Sequence, residues 1–328
     1  MRKTFFERTV VGTIAAAIVA VGAFAGAAQA FPDKPITLVV PWPAGGGSDI
    51  SMRLLADAAS KKFGKPVVVV NKPGAGGAVG IREVASAAPD GYTVGMGATG
   101  LVARQYTNPN ANVMTDVEPV AFFGADASAL SVRTDLGINS LAEFIKHAKA
   151  NPGKVRNGND PPGGTSFIAV AVIEKALGIK LTRVPYQGYA PTVAAILSGE
   201  VQSATVPLPD ILDHYKAGKL KVLGLTSEQR HFKAPEVPTF KEQGHNIVVG
   251  TWRALVAPKG VPEDRMRVLE TKFLEALNDP AFVKRANEAG FSIGPKNRKD
   301  TAEFIKAVDR DLYPILLEAG LVKARRKS

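Results

Sequence analysis

From residue 36 onward the chain alternates short β-branched runs with longer stretches whose apolar positions recur at helical spacing. Strand candidates fall at 36–40, 67–70 and 92–96, with helical stretches at 51–63 and 79–87. Such alternation predicts a largely parallel sheet flanked by helices. A second series begins near Ala129, with strand candidates at 130–132, 155–157, 182–184, 202–206 and 221–225. Within it, Ser140 and Glu143 have capping-box spacing, whose side chains can satisfy the free amides of a first helical turn, and another helix covers 190–197. After an apolar run at 252–256 the pattern becomes purely helical: Met266, Leu269, Phe273 and Leu277 share one face, Pro262 stands near the start, and Asp300 with Glu303 caps a further helix. A helical tail alone cannot build a sheet-based lobe, so it is expected to pack back on the first series. The predicted fold class is α/β, with two α/β lobes, a hinge and an interlobe cleft. Lobe 1 takes residues 31–128 plus 252–328 and lobe 2 takes 129–251, with the chain crossing near 128 and 251.

The first thirty residues read as an address rather than as fold. Arg2, Lys3 and Arg8 precede an apolar run, and Ala28-Gln29-Ala30 supplies a small-x-small cleavage pattern, so a signal peptide cut after Ala30 is expected. Later in the chain no apolar stretch approaches the roughly 20 residues that span a bilayer, so any membrane partner must be another protein. The sequence has no cysteine, which excludes disulfides, thiolate nucleophiles and thiolate metal sites. The formal net charge is +11, of which the leader's three bases and one acid account for two. A basic field favours encounter with anions, but the Lys and Arg residues are scattered and no nucleic-acid module is present, so no nucleic-acid partner is expected.

Glycine-rich turns at strand-to-helix junctions carry the chemistry. Trp42, Ala44, Gly45, Gly46, Gly47 and Ser48 follow the first strand and open the first helix. Their backbone amides, with the positive end of the helix, make an anion cradle; Asp49 is expected as the helix N-cap. Gly74, Ala75, Gly76 and Gly77 occupy the equivalent place after the second strand. In a parallel sheet both turns emerge at the carboxyl edge, where ligands of such sheets bind. Ala98 and Thr99 end the third strand; Asn159, Thr165 and Ser166 join a strand to a helix in the second series and form an opposing jaw; Tyr186 and Gln187 follow the next strand. The run Gly95-Met96-Gly97-Ala98-Thr99-Gly100 matches a dinucleotide fingerprint, with Asp116 at a ribose-acid distance, which leaves an exported oxidoreductase or hydrolase as the competing function. Against it, the match falls on the third strand, and Pro109 with an Asn-rich run interrupts the expected helix. His147, His214, His231 and His245 lack metal-pair spacing, and neither a G-x-S-x-G elbow nor a phosphate-binding lysine loop occurs. No catalytic residue, metal or cofactor is therefore assigned.

With these loops in view, the chain resembles the tripartite tricarboxylate transporter solute-receptor family, also called Bug receptors. The resemblance rests on an ordered set: Lys34-Pro35-Ile36, 41–49, 67–77, Pro89-Asp90-Gly91-Tyr92, Asn151-Pro152-Gly153-Lys154, Gly164-Thr165-Ser166, Val184-Pro185-Tyr186, Ala217-Gly218-Lys219, 235–238 and Ala257-Pro258. It implies a type II periplasmic-binding-protein fold, a monomeric periplasmic receptor, Venus-flytrap closure on a small organic acid, and delivery to a two-component permease. A receptor feeding a sensor kinase is the other partner arrangement of the same fold. The resemblance also implies that a proximal carboxylate is held by 44–48 and 74–77 without an arginine clamp, and that Ala98, Thr99, Thr165 and Ser166 complete the grip. Ile168 stands where many relatives have His, Asp160-Pro161-Pro162 is unusual, and Gln202 and Val206 stand where acidic residues are common. With Val206 against the ligand in place of an acid, a ligand bearing an ammonium group would lack its partner.

Overall fold

The computed structural model describes residues 31–108 and 116–323. The expected leader, and Pro109 with the Asn-rich run, lie outside the described residues. The chain divides into two units, Met1–Asp33 and Lys34–Ser328. Of the first unit only 31–33 are described, and they form no helix or strand.

In the second unit, β1 (Ile36–Val40), β2 (Val67–Asn71) and β3 (Thr93–Ala98) pair in parallel in the order β2-β1-β3. Helices α1 (Gly47–Phe63), α2 (Ala78–Ala85) and α3 (Thr99–Thr107) follow these strands in turn. Ile36, Leu38 and Val40 are wholly buried, as expected for a parallel strand covered on both faces. β4 (Val117–Arg133) is 17 residues long, far beyond the three expected at 130–132. It pairs antiparallel with β9 (Gly250–Pro258) through Ala127, and with β7 (Ser203–Pro207) from Ser128 onward. β9 also lies antiparallel to β3, joining the first half of the sheet to β4.

The second half holds β5 (Arg156–Asn159) parallel to both β6 (Thr182–Pro185) and β7, while β8 (Leu220–Leu225) pairs with β4. Its helices are α4 (Leu141–Ala150), α5 (Thr165–Leu177), α6 (Tyr189–Ser198) and α7 (Leu208–Lys216). Ser140 caps α4 by accepting from the Glu143 amide at 3.2 Å. Glu143 reaches back one residue beyond the expected box, accepting from the Asn139 amide at 2.6 Å.

The C-terminal helices are α8 (Glu263–Leu277), α9 (Pro280–Glu288) and α10 (Arg298–Glu318). They pack on the first half: Phe273 meets Phe63 of α1 edge-on at 5.1 Å, and Tyr313 meets Tyr106 of α3 at 5.0 Å. The cap of α10 is Asn297, which accepts from the Asp300 amide at 2.8 Å; Asp300 is inside the first turn rather than at its cap. Among the described residues no helix is long and apolar enough to cross a membrane.

Candidate functional site

The turn after β1 ends on Gly46, whose extended backbone makes it the N-cap of α1. Asp49, expected at the cap, lies in the first turn and reaches back, its Oδ2 accepting from the Gly45 amide at 3.0 Å. Burial pushes the Asp49 carboxyl up, but bonds from Arg53, Gly45 and Asn71 outweigh it and hold the group below its ordinary value. One amide of the cradle is thus committed within the turn.

A second amide is committed from across the sheet. The Gly47 amide donates to Oδ1 of Asp210, in the first turn of α7, at 2.7 Å. The other oxygen, Oδ2, is buried without a partner. The fit is close: a Cβ added at Gly47 would fall 2.6 Å from Oδ2. Burial is the main cause that raises the Asp210 carboxyl from 3.8 to about 6, with the Gly47 amide and Arg253 opposing it and the charges of Asp126 and Asp160 adding to it. A raised carboxyl favours the folded state fully below its unfolded value, and that contribution is lost as pH rises through about 6. The difference corresponds to roughly 3 kcal/mol at most. Asp210→Asn, uncharged at every pH, is therefore expected to be more stable than the parent in urea unfolding at about pH 7.5 by ~1–3 kcal/mol, with the gap closing toward about pH 4. A gap of the same size at both pH values would contradict this.

The second loop, Gly74 to Gly77, turns through positive φ at every residue. Ala75, at φ 45°, carries a left-handed conformation that costs a non-glycine residue roughly 1–2 kcal/mol. The loop lies against Arg104 of α3, whose Nε donates to the Gly76 carbonyl at 2.8 Å. On the facing half, Asp160 and Ser166 cap each other: the Ser166 amide donates to Asp160 Oδ2 at 3.1 Å, and the Asp160 amide donates to Ser166 Oγ at 2.7 Å. Burial pushes the Asp160 carboxyl up, opposed by these bonds, by Arg104 and by the Tyr189 hydroxyl.

The two sets of loops meet. Gly100 faces Gly164 and the Thr165 amide, and Gly188 packs on Pro43. Two cavities of about 10 Å³ remain, each with room for about one water. Trp42 and Pro43 line both. The first also has Gly74, Gly76, Arg104, Asp160 and Gln187 in its wall; the second has Gly46, Gly47, Ser48 and Tyr189.

Of the expected site residues, Trp42, Gly46, Gly47, Ser48, Gly74, Gly76 and Gln187 thus line these cavities. Ala44, Gly45 and Ala75 sit on the exposed outer side of their turns. Ala98 is buried, and the Thr99 hydroxyl is spent on β9, donating to the Gly250 carbonyl and accepting from the Trp252 amide. Thr165 and Ser166 are buried, Ser166 being held by Asp160. Asn159 is buried, donating to the Asn157 carbonyl while its Oδ1 has no partner.

Two expected residues point elsewhere. Val206 is fully buried in the hydrophobic core with Ile196, Leu208 and Leu225. The Tyr186 hydroxyl bonds Glu200, beyond the far end of α6, because its ring leans on Gly158 and Val184 belongs to the same apolar cluster. The carboxyls of Asp160 and Asp210 are buried beside these loops, bonded to the Ser166 and Gly47 amides.

Gly95 and Gly97 of the fingerprint are strand residues paired with Val256 and Ala254 of β9. A Cβ at Gly95 would fall 2.4 Å from Val84. Gly95 thus serves close packing, and the start of α3 is covered by the 163–165 backbone rather than open to a pyrophosphate. His231 bonds the Gly290 carbonyl, and the Lys233 amide donates to it; its role is structural.

The residues that sequence reasoning missed are Arg104 and Asp210, with the buried pair Arg253 and Asp126 close enough for their charges to act on Asp210. Asp210 reads in sequence as an ordinary first-turn acid after Leu208-Pro209, and Arg104 as the single charged residue of a short helix.

Two sheet halves joined through long antiparallel strands, with glycine turns facing across a cleft, define a periplasmic-binding-protein fold. The structure of periplasmic binding protein BugD superposes at TM-score 0.85, with 30% identity, 90% of this chain and 100% of that chain covered. An R. palustris protein solved with adipate gives TM-score 0.85 at 27% identity, covering 89% and 99%. MatC from Rhodopseudomonas palustris with bound malate gives 0.81 at 26%, covering 87% and 100%. Residues 51–321 match the model of the tripartite tricarboxylate transporter family receptor, and the chain belongs to that family. Among curated relatives, the UPF0065 protein of the gbd 5′ region of Cupriavidus necator is 36% identical over 321 residues, 95% of this chain and 97% of that one. Protein BugT of Bordetella pertussis is 32% identical over 262 residues, covering 78% and 80%.

Proposed function

We propose that this chain is a periplasmic solute receptor that captures a small organic carboxylate between two lobes and hands it to a permease of the tripartite tricarboxylate type, without chemical conversion. The lobes are 31–128 with 252–328, and 129–251, hinged where β4 passes from its pairing with β9 to its pairing with β7 and where the chain returns into β9. The carrying observation is that the Gly47 amide, at the N-terminus of α1, already holds a carboxylate, that of Asp210, at 2.7 Å. A helix start that binds its own chain's acid has the geometry and sign to bind a metabolite's acid. Adipate and malate in the two R. palustris proteins support the ligand class. In this reading the ligand contacts both lobes and stabilises the form in which they close on it.

Binding would then replace Asp210 at the cradle, and Asp210 would turn toward the outer groove of about 550 Å³ that it also lines with Asp213, His214 and Glu288. The test is a thermal-shift screen of mono-, di- and tricarboxylates and aromatic acids on the exported form. A bound acid is expected to raise the melting temperature progressively with concentration, by the equivalent of about 2.7 kcal/mol at a hundredfold excess over Kd. A flat response across the whole panel would refute the proposal.

A further inference from the structure

The charged side chains buried around the cleft are matched in different ways. Arg253 is paired with Asp126 through Nη1 while its Nε and Nη2 have no partner, Asp210 takes the Gly47 amide on Oδ1 alone, and Asp160 takes the Ser166 amide. Arg104 differs in that it bonds a backbone carbonyl rather than a carboxylate. It is 4% exposed, its Nε is spent on the Gly76 carbonyl, and its Nη2 is buried with no hydrogen-bond partner. Asp160 is near enough for its charge to act on the guanidinium, but its oxygens are engaged by Ser166 and Tyr189. A guanidinium keeps its charge when buried, and a buried charged donor without an acceptor is costly to maintain.

The surrounding backbone accommodates this guanidinium. At Gly76, φ is 59° and a Cβ would fall 1.5 Å from Nη2, so only a residue without a side chain lets the guanidinium lie on the loop. Arg104 forms part of the wall of the first cavity, and the amides of 46–48 border the second. Trp42 and Pro43 line both, so the two cavities lie against the same segment, with Arg104 in the wall of one and the start of α1 in the wall of the other; in the proposal that follows, a ligand parts the touching loops and joins them into one slot.

Resting on the receptor reading above, we propose that Arg104 is the specificity-determining residue of the slot: its free Nη2 receives a second anionic group of the ligand, which makes the receptor selective for dianionic acids. A carboxylate at each end then satisfies the Gly46–Ser48 side and the guanidinium together. Arg suits this role through its rigid, planar donor fork.

The test is calorimetric titration of straight-chain diacids, adipate among them, each beside its own monoamide, into the parent and Arg104→Gln. The parent is expected to prefer the diacid by at least about 30-fold, and the variant to lose about 100-fold in diacid affinity while its preference falls to within about 3-fold. Loss of a purely structural contact would weaken diacid and monoamide alike, leaving the preference intact, and that result would overturn the proposal. So would a parent that binds diacid and monoamide equally. Far-UV circular dichroism checks the fold. Should the Gln variant not fold, Arg104→Lys keeps the charge without the fork; its diacid preference is expected to drop at least about fivefold, and an undiminished preference would overturn the assignment. A parent that binds no acid at all would instead remove the receptor reading on which this rests.

Discussion

Arg253→Met is expected to lower the unfolding free energy by roughly 3–5 kcal/mol. Arg253 is wholly buried on β9 and pairs with Asp126 of β4, itself 3% exposed. Asp126 also accepts from the Ser292 amide at 2.9 Å, and the guanidinium stacks over Phe291 at 5.1 Å. Met fills most of the volume but leaves the Asp126 carboxylate buried without its cation, in a region where the Asp210 and Asp160 carboxylates already act on one another. The loss reflects an orphaned charge more than the worth of the pair, because two well-packed apolar side chains can replace a buried ion pair with little cost. Accordingly Asp126→Leu combined with Arg253→Met is expected to recover much of the stability. Urea unfolding followed by circular dichroism measures both; a single variant within about 1 kcal/mol of the parent would contradict the argument.

Gly46→Asp is expected to abolish acid binding while leaving the fold nearly untouched. With φ −87° the backbone accepts any residue, and the nearest atoms to an added Cβ are the Ala190 amide nitrogen at 3.7 Å and Asp210 Oδ1 at 3.9 Å, ordinary contacts. The new carboxylate would stand beside that of Asp210, at the helix start where the ligand's charge is proposed to rest. Like charges brought together cost several kcal/mol, so affinity should fall by more than about 100-fold. Gly47 would be the wrong position for this test, because its Cβ alone collides with Asp210. The checks are calorimetry with the acid chosen by thermal shift and a melt without ligand, which should move by only a few degrees. Undiminished affinity would put the ligand elsewhere.

The βαβ alternation was most legible where a strand is a compact β-branched run, such as 36–40 or 67–70, set off by glycine or proline; β5, Arg156–Asn159, has no β-branched residue and was legible only through its neighbours. β4 was legible only at its end. Pro119, Gly124 and Asp126 break its apolar pattern, and the pairing with β9 shifts register between Pro119 and Ala121 and again between Phe122 and Gly124. Such bulges are held by the neighbouring strand, which local sequence does not reveal. The caps of α1 and α10 were misplaced for a related reason: Asp49 and Asp300 are acids in the first turn, and whether such an acid caps or reaches back depends on where the preceding turn ends. The glycine turns of the candidate site could be read directly. Their charged neighbours could not, because the contacts that matter are distant in sequence: Asp210 and Gly47 are 163 positions apart, Arg104 and Gly76 are 28, and Arg253 and Asp126 are 127.

A crystal structure of the protein with the acid selected by thermal shift is the most direct test of the proposal that glycine-turn amides hold a metabolite's carboxylate. The proposal predicts a carboxylate within about 3.2 Å of amides in 46–48 or 74–77, with Asp210 displaced from Gly47. A tightly bound acid found away from both turns, with the Asp210 bond to Gly47 intact, would contradict it.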